Sequence, residues 1–272
     1  MDYIISISYI AIITGDNIYQ TKRDFLIKYW KQNDKEDFNT YCEITKYSIK
    51  NDYEKINEIS KKNNINVQSE LTKCLKSKDI EELTKKKEEI LSKVKDLDLS
   101  EKDKKVIQES ILNVSHTNFG IKNETDVLKI YQKHTNTNIV KDDKYRKKII
   151  YVSPENNYNI LIGGKIDGIN VDNGSIIEIK NRMNRLFNEF RSYEKVQLMS
   201  YLFLFNAEKG YLVEALKKKE ETNINIIECI FDNEYMQTIL SDLKRFIEFY
   251  RSFLKNHKMK LELLQNEDEI DF

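Results

Sequence analysis

Three side chains stand out for chemistry: Asp167 in Gly-Lys-Ile-Asp-Gly (164–168), and Glu178 and Lys180 in Ile-Ile-Glu-Ile-Lys (176–180). Glu178 and Lys180 lie two apart in a run with strand character, so both leave one face of a sheet. Between the two segments, Asp172-Asn173-Gly174 signals a hairpin, because Asn-Gly readily adopts positive φ. The turn folds the strand of Asp167 back beside Glu178. Two carboxylates at about one strand spacing repel each other unless a cation sits between them, and all-oxygen ligation suits Mg2+ or Mn2+. A lysine beside that ion can orient or help deprotonate an attacking water, or neutralise charge growing on a phosphoryl group. The set suits metal-assisted phosphodiester hydrolysis. In a chain rich in Glu and Lys, an exposed cross-strand salt bridge also accounts for Glu-x-Lys. The charges are set into an otherwise apolar run, however, and burial of that strand requires them to be paired or metal-bound.

Two helices add to the set. Glu124 lies in a helical pattern before the strands, and Gln197 and Tyr201 lie four apart in the helix after them, hence on one face. Glu124 offers a third carboxylate, and the amide and phenol offer groups to hold a phosphate or water. Each also has an ordinary reading, as a solvated helix acid or as helix-surface and core residues. Basic residues gather nearby: Lys144, Arg146, Lys147 and Lys148 precede the first core strand, and Lys165 lies inside the aspartate motif. Arg182, Arg185 and Arg191 follow Lys180, interleaved with Phe187, Phe190 and Tyr193. Arginines directly after such a strand are placed to bind phosphates flanking the scissile one.

The elements that must position these residues are legible in outline. The opening YIISISYIAIIT reads either as a strand or as Ser8, short helix and Gly15. An aromatic helical segment follows at about 23–50. Residues 52–113 are dominated by Lys and Glu, with Ile80, Leu83, Ile90, Val94 and Leu97 forming one apolar stripe, and Ser100 placed to cap a second helix. The pattern predicts a helical hairpin. Beyond 114 come a helix at about 120–134 and strands at 147–152, 159–169 and 175–180. A long helix at about 184–206, strands YLVEAL and NIIECIF, a helix at about 233–257 and a frayed acidic tail complete the order. This division gives an N-terminal part of a catalytic domain (1–50), a Lys/Glu-rich helical insertion (51–113), a core (114–260) and a tail (261–272).

Composition narrows the classes. The chain has 272 residues, 45 basic and 45 acidic, with one Pro and seven Gly. A chain of that length buries a real core, and scarce Pro and Gly disfavour turn-rich all-β folds, leaving helix-rich α/β. Zero net charge supplies no global field for a polyanion, so any nucleic-acid affinity must come from a site or from oligomerisation around a duplex. Cys42, Cys74 and Cys229 lack CxxC spacing and read as buried thiols in a reducing compartment. The apolar start has no basic flank and is too short to span a bilayer, which predicts an intracellular, non-secreted protein without a membrane partner.

In order and spacing, Glu124, then GKIDG with Asp167, then Glu178-x-Lys180, then Gln197-x-x-x-Tyr201 resembles the RecB-like branch of the PD-(D/E)xK nucleases. More narrowly, it is similar to the lambda-exonuclease or YqaJ-type viral recombinase nucleases. FGIKNETDVLKIYQK looks like that group's helix, with a glycine ahead of the motif glutamate. SISYIAIITGDNIYQTKRDFLIKYW is similar to its opening motif of Ser, short helix, Gly and Asn-x-Tyr. The likeness spans residues 6–30 and about 114–206. It departs at Ile166, where the family usually has proline, and in having no arginine ahead of Ser8.

The resemblance implies a restriction-endonuclease-like α/β core, a mixed central sheet flanked by helices, carrying the helical insertion. It implies that Asp167, Glu178 and the carbonyl of Ile179 bind Mg2+ or Mn2+, with Glu124 serving a second metal or its water. Lys180 would position or activate the nucleophile, Gln197 would orient the site, and Ser8 would contact a phosphate. Lys165, Arg182, Arg185 and Tyr201 are the further DNA-binding candidates. The implied activity is exonucleolytic digestion of double-stranded DNA from the 5′ end in recombination, repair or viral DNA processing, beside a single-strand annealing protein or as a homo-oligomer. Two alternatives stand beside it: a structure-specific or single-strand endonuclease on the same core, and a non-catalytic DNA-binding or assembly subunit.

Overall fold

The computed structural model describes residues 1–77, 80–218, 221–266 and 269–272, apart from the side chains of 116, 119–122 and 218. Gly120, the glycine ahead of Glu124, and Glu267 and Asp268 of the acidic tail lie outside this description.

The ambiguous start resolves into both of its readings. Asp2–Ser6 is strand β1, and Ile7–Ile13 is helix α1, entered from Ser6 rather than from Ser8. Gly15 follows with φ +81°, a conformation in which a Cβ is strained. Helices α2 (Lys22–Asn33) and α3 (Lys35–Thr45) then pack Phe25, Leu26, Trp30 and Phe38 into the main core.

The Lys/Glu region is larger than a hairpin. It holds α4 (Asp52–Asn63), α5 (Val67–Leu75), α6 (Ile80–Asp96) and the first half of α7 (Glu101–Thr135). Ser100 caps α7, its hydroxyl accepting from the Asp103 N–H at 3.1 Å. The stripe Ile80, Leu83, Ile90 and Val94 is buried, with Leu97 packed against it, in a cluster that also takes Ile56, Leu71, Ile107 and Ile111. This unit therefore has its own core. The expected break near 114 is absent, because α7 runs 35 residues through it and carries Glu124 on its second half. One rod joins the insertion to the site.

After β2 (Ile139–Val140) and β3 (Arg146–Ser153), the expected strand 159–169 is two: β4 (Tyr158–Gly164) and β5 (Gly168–Asn170). Ile166 is buried in the main core while Lys165 is exposed, so the chain leaves the first sheet and enters a second. Strand β6 (Ile176–Arg182) follows the Asp-Asn-Gly turn, where Gly174 takes φ +71°. Strands β7 (Lys209–Lys218) and β8 (Glu221–Ile230) complete the sheets. One sheet has the order β1-β4-β3 and the other β2-β5-β6-β7-β8, and each mixes parallel and antiparallel pairs. The fold is thus mixed α/β, with two sheets where one was expected.

Helix α8 (Ser192–Phe205) starts eight residues later than the pattern suggested, since 183–191 is a non-helical loop with Asn188 at φ +60°. It packs against strands of both sheets. On β6, Ile177 and Ile179 face Val127, Leu128 and Tyr131 of α7, so Glu178, Lys180 and Arg182 point the other way, toward α8. The expected helix at about 233–257 is α9 (Asn233–Leu254), and a further helix, α10 (His257–Gln265), follows it. The end of the tail is docked rather than frayed: Phe272 packs on Phe25, Phe246 and Phe249, and Asp271 pairs with Lys22 at 2.6 Å.

Candidate active site

Gly168 pairs with Ile177 across β5 and β6, so the next antiparallel position sets Asp167 opposite Glu178. Asp167 is fixed there by the strand it faces: its Oδ2 accepts a 2.7 Å hydrogen bond from the Ile179 N–H. Glu178 is 5% exposed. Its Oε1 accepts from Lys180 Nζ at 2.9 Å, and the same ammonium donates to Gln197 Oε1 at 2.9 Å. Gln197 in turn bonds the Tyr201 phenol. Strand β6 thus supplies the glutamate and the lysine, the β4–β5 break supplies the aspartate, and α8 supplies the amide that holds the lysine.

Electrostatics mark this set as unusual. Burial pushes the Glu178 carboxyl up to about 7, with Lys180 opposing the shift and Asp167 and Glu124 adding to it. Burial likewise raises Asp167, against the Ile179 N–H, and raises Glu124, with Asp167 adding to that shift. For Lys180, burial works against the charge, but Glu178, Asp167 and Glu194 outweigh it and hold the amine protonated. Three carboxylates share one field, countered by Lys180 and, for Glu124 and Asp167, by Lys141.

The donor chemistry fits a hard divalent cation. Asp167 spends Oδ2 and Glu178 spends Oε1 on the protein, leaving Oδ1 and Oε2 as oxygen donors at opposed positions of the β4–β5 break and β6. Among the described residues, no group of three or more His, Cys, Asp or Glu is drawn together tightly enough to hold an ion by itself. An ion here would draw on Asp167 and Glu178, with a backbone carbonyl and water completing its shell.

Two glycines admit the aromatic frame of the site. A Cβ on Gly164 would stand 2.8 Å from Tyr201 Cε1 and 3.4 Å from Ile7 Cβ; one on Gly163 would stand 2.5 Å from the Tyr145 hydroxyl. Ser8 follows Ile7 at this edge, is exposed, and shares a 2.9 Å hydrogen bond with Ser6. Lys165, two residues ahead of Asp167, and Arg185, in loop 183–191, are exposed, with the Arg185 guanidinium 5.3 Å from the Phe187 ring.

Two of the DNA-contact expectations are corrected. Arg182 is 9% exposed and its fork is taken: it donates to Glu194 at 2.7 and 2.9 Å and to Glu214 at 2.8 Å. A guanidinium buried between two carboxylates in this way is not placed to meet a phosphate. Tyr201 is 6% exposed, so it supports Gln197 from within rather than meeting DNA directly.

The two glutamates around Arg182 escaped the sequence reading. Glu214 also accepts from the N–H groups of Phe187 and Asn188 and from Asn225, and Glu194 faces the Arg191 N–H. Burial opposes ionised Glu214, but the Asn188 N–H and Arg182 outweigh it and hold its carboxyl below the usual range. The triad staples loop 183–191 to β6, β7 and α8. A signal was present: the acid in YLVEAL interrupts an apolar run, as Glu178 does in IIEIK.

No family model matches this chain, and no curated protein does. Among solved structures it is similar to a phage-related exonuclease from Haemophilus somnus 129PT, at 14% identity and a TM-score of 0.42, over 52% of this chain and 72% of that one. It is also similar to an alkaline exonuclease from Laribacter hongkongensis, at 12% identity and a TM-score of 0.39, over 69% of this chain and 88% of that one. The latter has also been solved in complex with dAMP, and that structure aligns with a TM-score of 0.38.

Proposed function

We propose that this protein is a divalent-metal-dependent deoxyribonuclease acting on ends of double-stranded DNA, in the 5′ to 3′ direction. The observation that carries the reading is the junction of Asp167, Glu178 and Lys180, with Lys180 held between Glu178 and Gln197 at 2.9 Å on each side. Asp167, Glu178 and the Ile179 carbonyl would hold Mg2+ or Mn2+, and Glu124 would bind a second ion or its water. The metal would polarise the phosphoryl group and ease ionisation of water.

The chain's own groups do the rest. Lys180 is protonated, so it serves as a donor that aims the attacking water and offsets charge on the phosphoryl oxygens, rather than as a resting base. Gln197 accepts from that ammonium and fixes its direction, and the buried Tyr201 fixes Gln197. Ser8, Lys165 and Arg185 are the exposed groups for flanking phosphates. Recombination, repair or viral DNA processing is the setting this activity fits, with a single-strand annealing protein or further copies of the chain as partners.

The test is digestion of matched linear and closed-circular DNA, with 5′-phosphate and 5′-hydroxyl ends, in Mg2+, Mn2+ and EDTA. Metal-dependent loss of the linear form alone is expected. Cleavage of closed circles would move the assignment to an endonuclease, and no cleavage in either metal would overturn it.

A further inference from the structure

Loop 14–21, between α1 and α2, presents two large side chains to solvent: Ile18 at 81% exposure and Tyr19 at 68%. The loop is pinned rather than loose. The Asn17 N–H donates to the Ala11 carbonyl at 2.9 Å, and the Asn17 side chain accepts from the Tyr19 N–H at 2.9 Å. The Tyr19 ring meets Tyr193 edge to face, with centroids 5.7 Å apart. Tyr193, Gln197 and Tyr201 fall four apart along α8, so they share a face, and Tyr193 sits about 6 Å along the helix from the amide that holds Lys180. Tyr19 also borders an open groove of about 810 Å³ between the α2–α4 region and α7, whose charged lining mixes Lys28, Lys50 and Lys55 with Asp24 and Asp52, beside Asn51 and Asn113.

We propose that Tyr19 and Tyr193 form a stacking platform for unpaired bases of a single DNA strand, which runs from the catalytic site over the platform into this groove. The proposal rests on the reading above that the site takes DNA. Every base has a π-face, so a rigid exposed aromatic beside a catalytic centre binds single strands without regard to sequence. Lys50 pairs with Glu58 and Lys55 with Asp52, whereas Lys28 has no acidic partner among the described residues, so Lys28 and the groove's amides are the groups that would meet a phosphate backbone. One wall of the groove belongs to the helical insertion, which gains a role in guiding the strand.

The test uses the full chain in EDTA, with a duplex bearing a short single-stranded tail that contains 2-aminopurine, and the blunt duplex as comparison. Wild type and Tyr19→Phe should quench the 2-aminopurine, whereas Tyr19→Ala should lose the quenching and bind the tailed duplex about tenfold more weakly, with blunt-duplex binding kept. Circular dichroism confirms that each variant is folded. Quenching and affinity unchanged in Tyr19→Ala, or an equal loss on blunt duplex, overturns the platform. Adding Mg2+ or Mn2+ separates the two ideas. Tyr19-dependent quenching without cleavage leaves the platform standing and removes the nuclease reading, while cleavage without Tyr19-dependent quenching removes the platform alone.

Discussion

Asp167 is bonded, through Oδ2, to the backbone N–H of Ile179 at 2.7 Å, so the aspartate is anchored to the residue that separates Glu178 from Lys180. The bond locks the β4–β5 break against β6, and it fixes which aspartate oxygen remains for an external ligand. Charge and shape at this position can therefore be separated experimentally. Asparagine can still accept from the Ile179 N–H, so Asp167→Asn should fold as wild type while losing at least about a hundredfold in cleavage rate. Glu178→Ala and Lys180→Ala should lose at least as much. Initial rates on linear DNA, with circular dichroism to confirm folding, check all three, and full activity in any one sinks the assignment.

Glu178 makes the metal-free protein sensitive to pH. Its carboxyl is pushed up to about 7 by burial, against about 4.3 in an unfolded chain. Below the unfolded value both states hold the proton and nothing is lost; as pH rises from there to about 7 the unfolded chain ionises while the folded state keeps its proton, so stability falls, and above about 7 the loss is complete and level. Glu178→Gln removes that penalty. In EDTA its Tm should match wild type near pH 4.5, rise above it by a few degrees between pH 5 and 7, and keep that margin at pH 8. Saturating Mg2+ should raise the wild-type Tm and close the gap. A pH-independent margin in a thermal melt series would refute this.

Arg182 and Arg185 are three residues apart and should behave oppositely. Arg182→Ala leaves Glu194 and Glu214 buried without their cation and should cost about 3–5 kcal/mol in urea unfolding. Arg182→Lys should rescue little of it, because an ammonium cannot span both carboxylates as the fork does. Arg185→Ala should leave unfolding unchanged. It should instead weaken DNA binding and lower the slope of log affinity against log salt by about one, as should Lys165→Ala.

The paired glycines of β4 should also split. At Gly163 a methyl meets the end of the half-exposed Tyr145 ring, which can swing aside, so Gly163→Ala should be tolerated. At Gly164 it meets the buried Tyr201 ring at 2.8 Å, with Ile7 behind, so Gly164→Ala should cost about 1–3 kcal/mol and displace Gln197. Thermal melts and cleavage rates of the two variants compare them directly; equal behaviour would refute the packing account.

Much of the site was legible because strand periodicity and turn chemistry are local. The two-residue spacing of Glu178 and Lys180 fixes their shared face, and Asn173-Gly174 fixes a hairpin that brings Asp167 alongside, wherever the rest of the chain goes. The stripe of the insertion and the Ser100 cap were readable for the same reason. The helix at 120–134 and the one starting at Ser100 were read as separate, although α7 has no break between them.

What the sequence by itself determined is the set Asp167, Glu178, Lys180 and Gln197 as candidates, the mixed α/β class, and a helical unit with its own apolar stripe. Only the tertiary structure decided which charges are spent inside. Arg182 looked like a phosphate ligand until Glu194 and Glu214, 12 and 32 residues away, were seen to enclose it. It also decided that one strand pattern becomes β4 and β5 in different sheets, and that Tyr19 stands beside Tyr193. The physical reason is range: periodicity and capping act within a few residues, whereas the burial of a charge depends on partners that only packing brings within hydrogen-bonding distance.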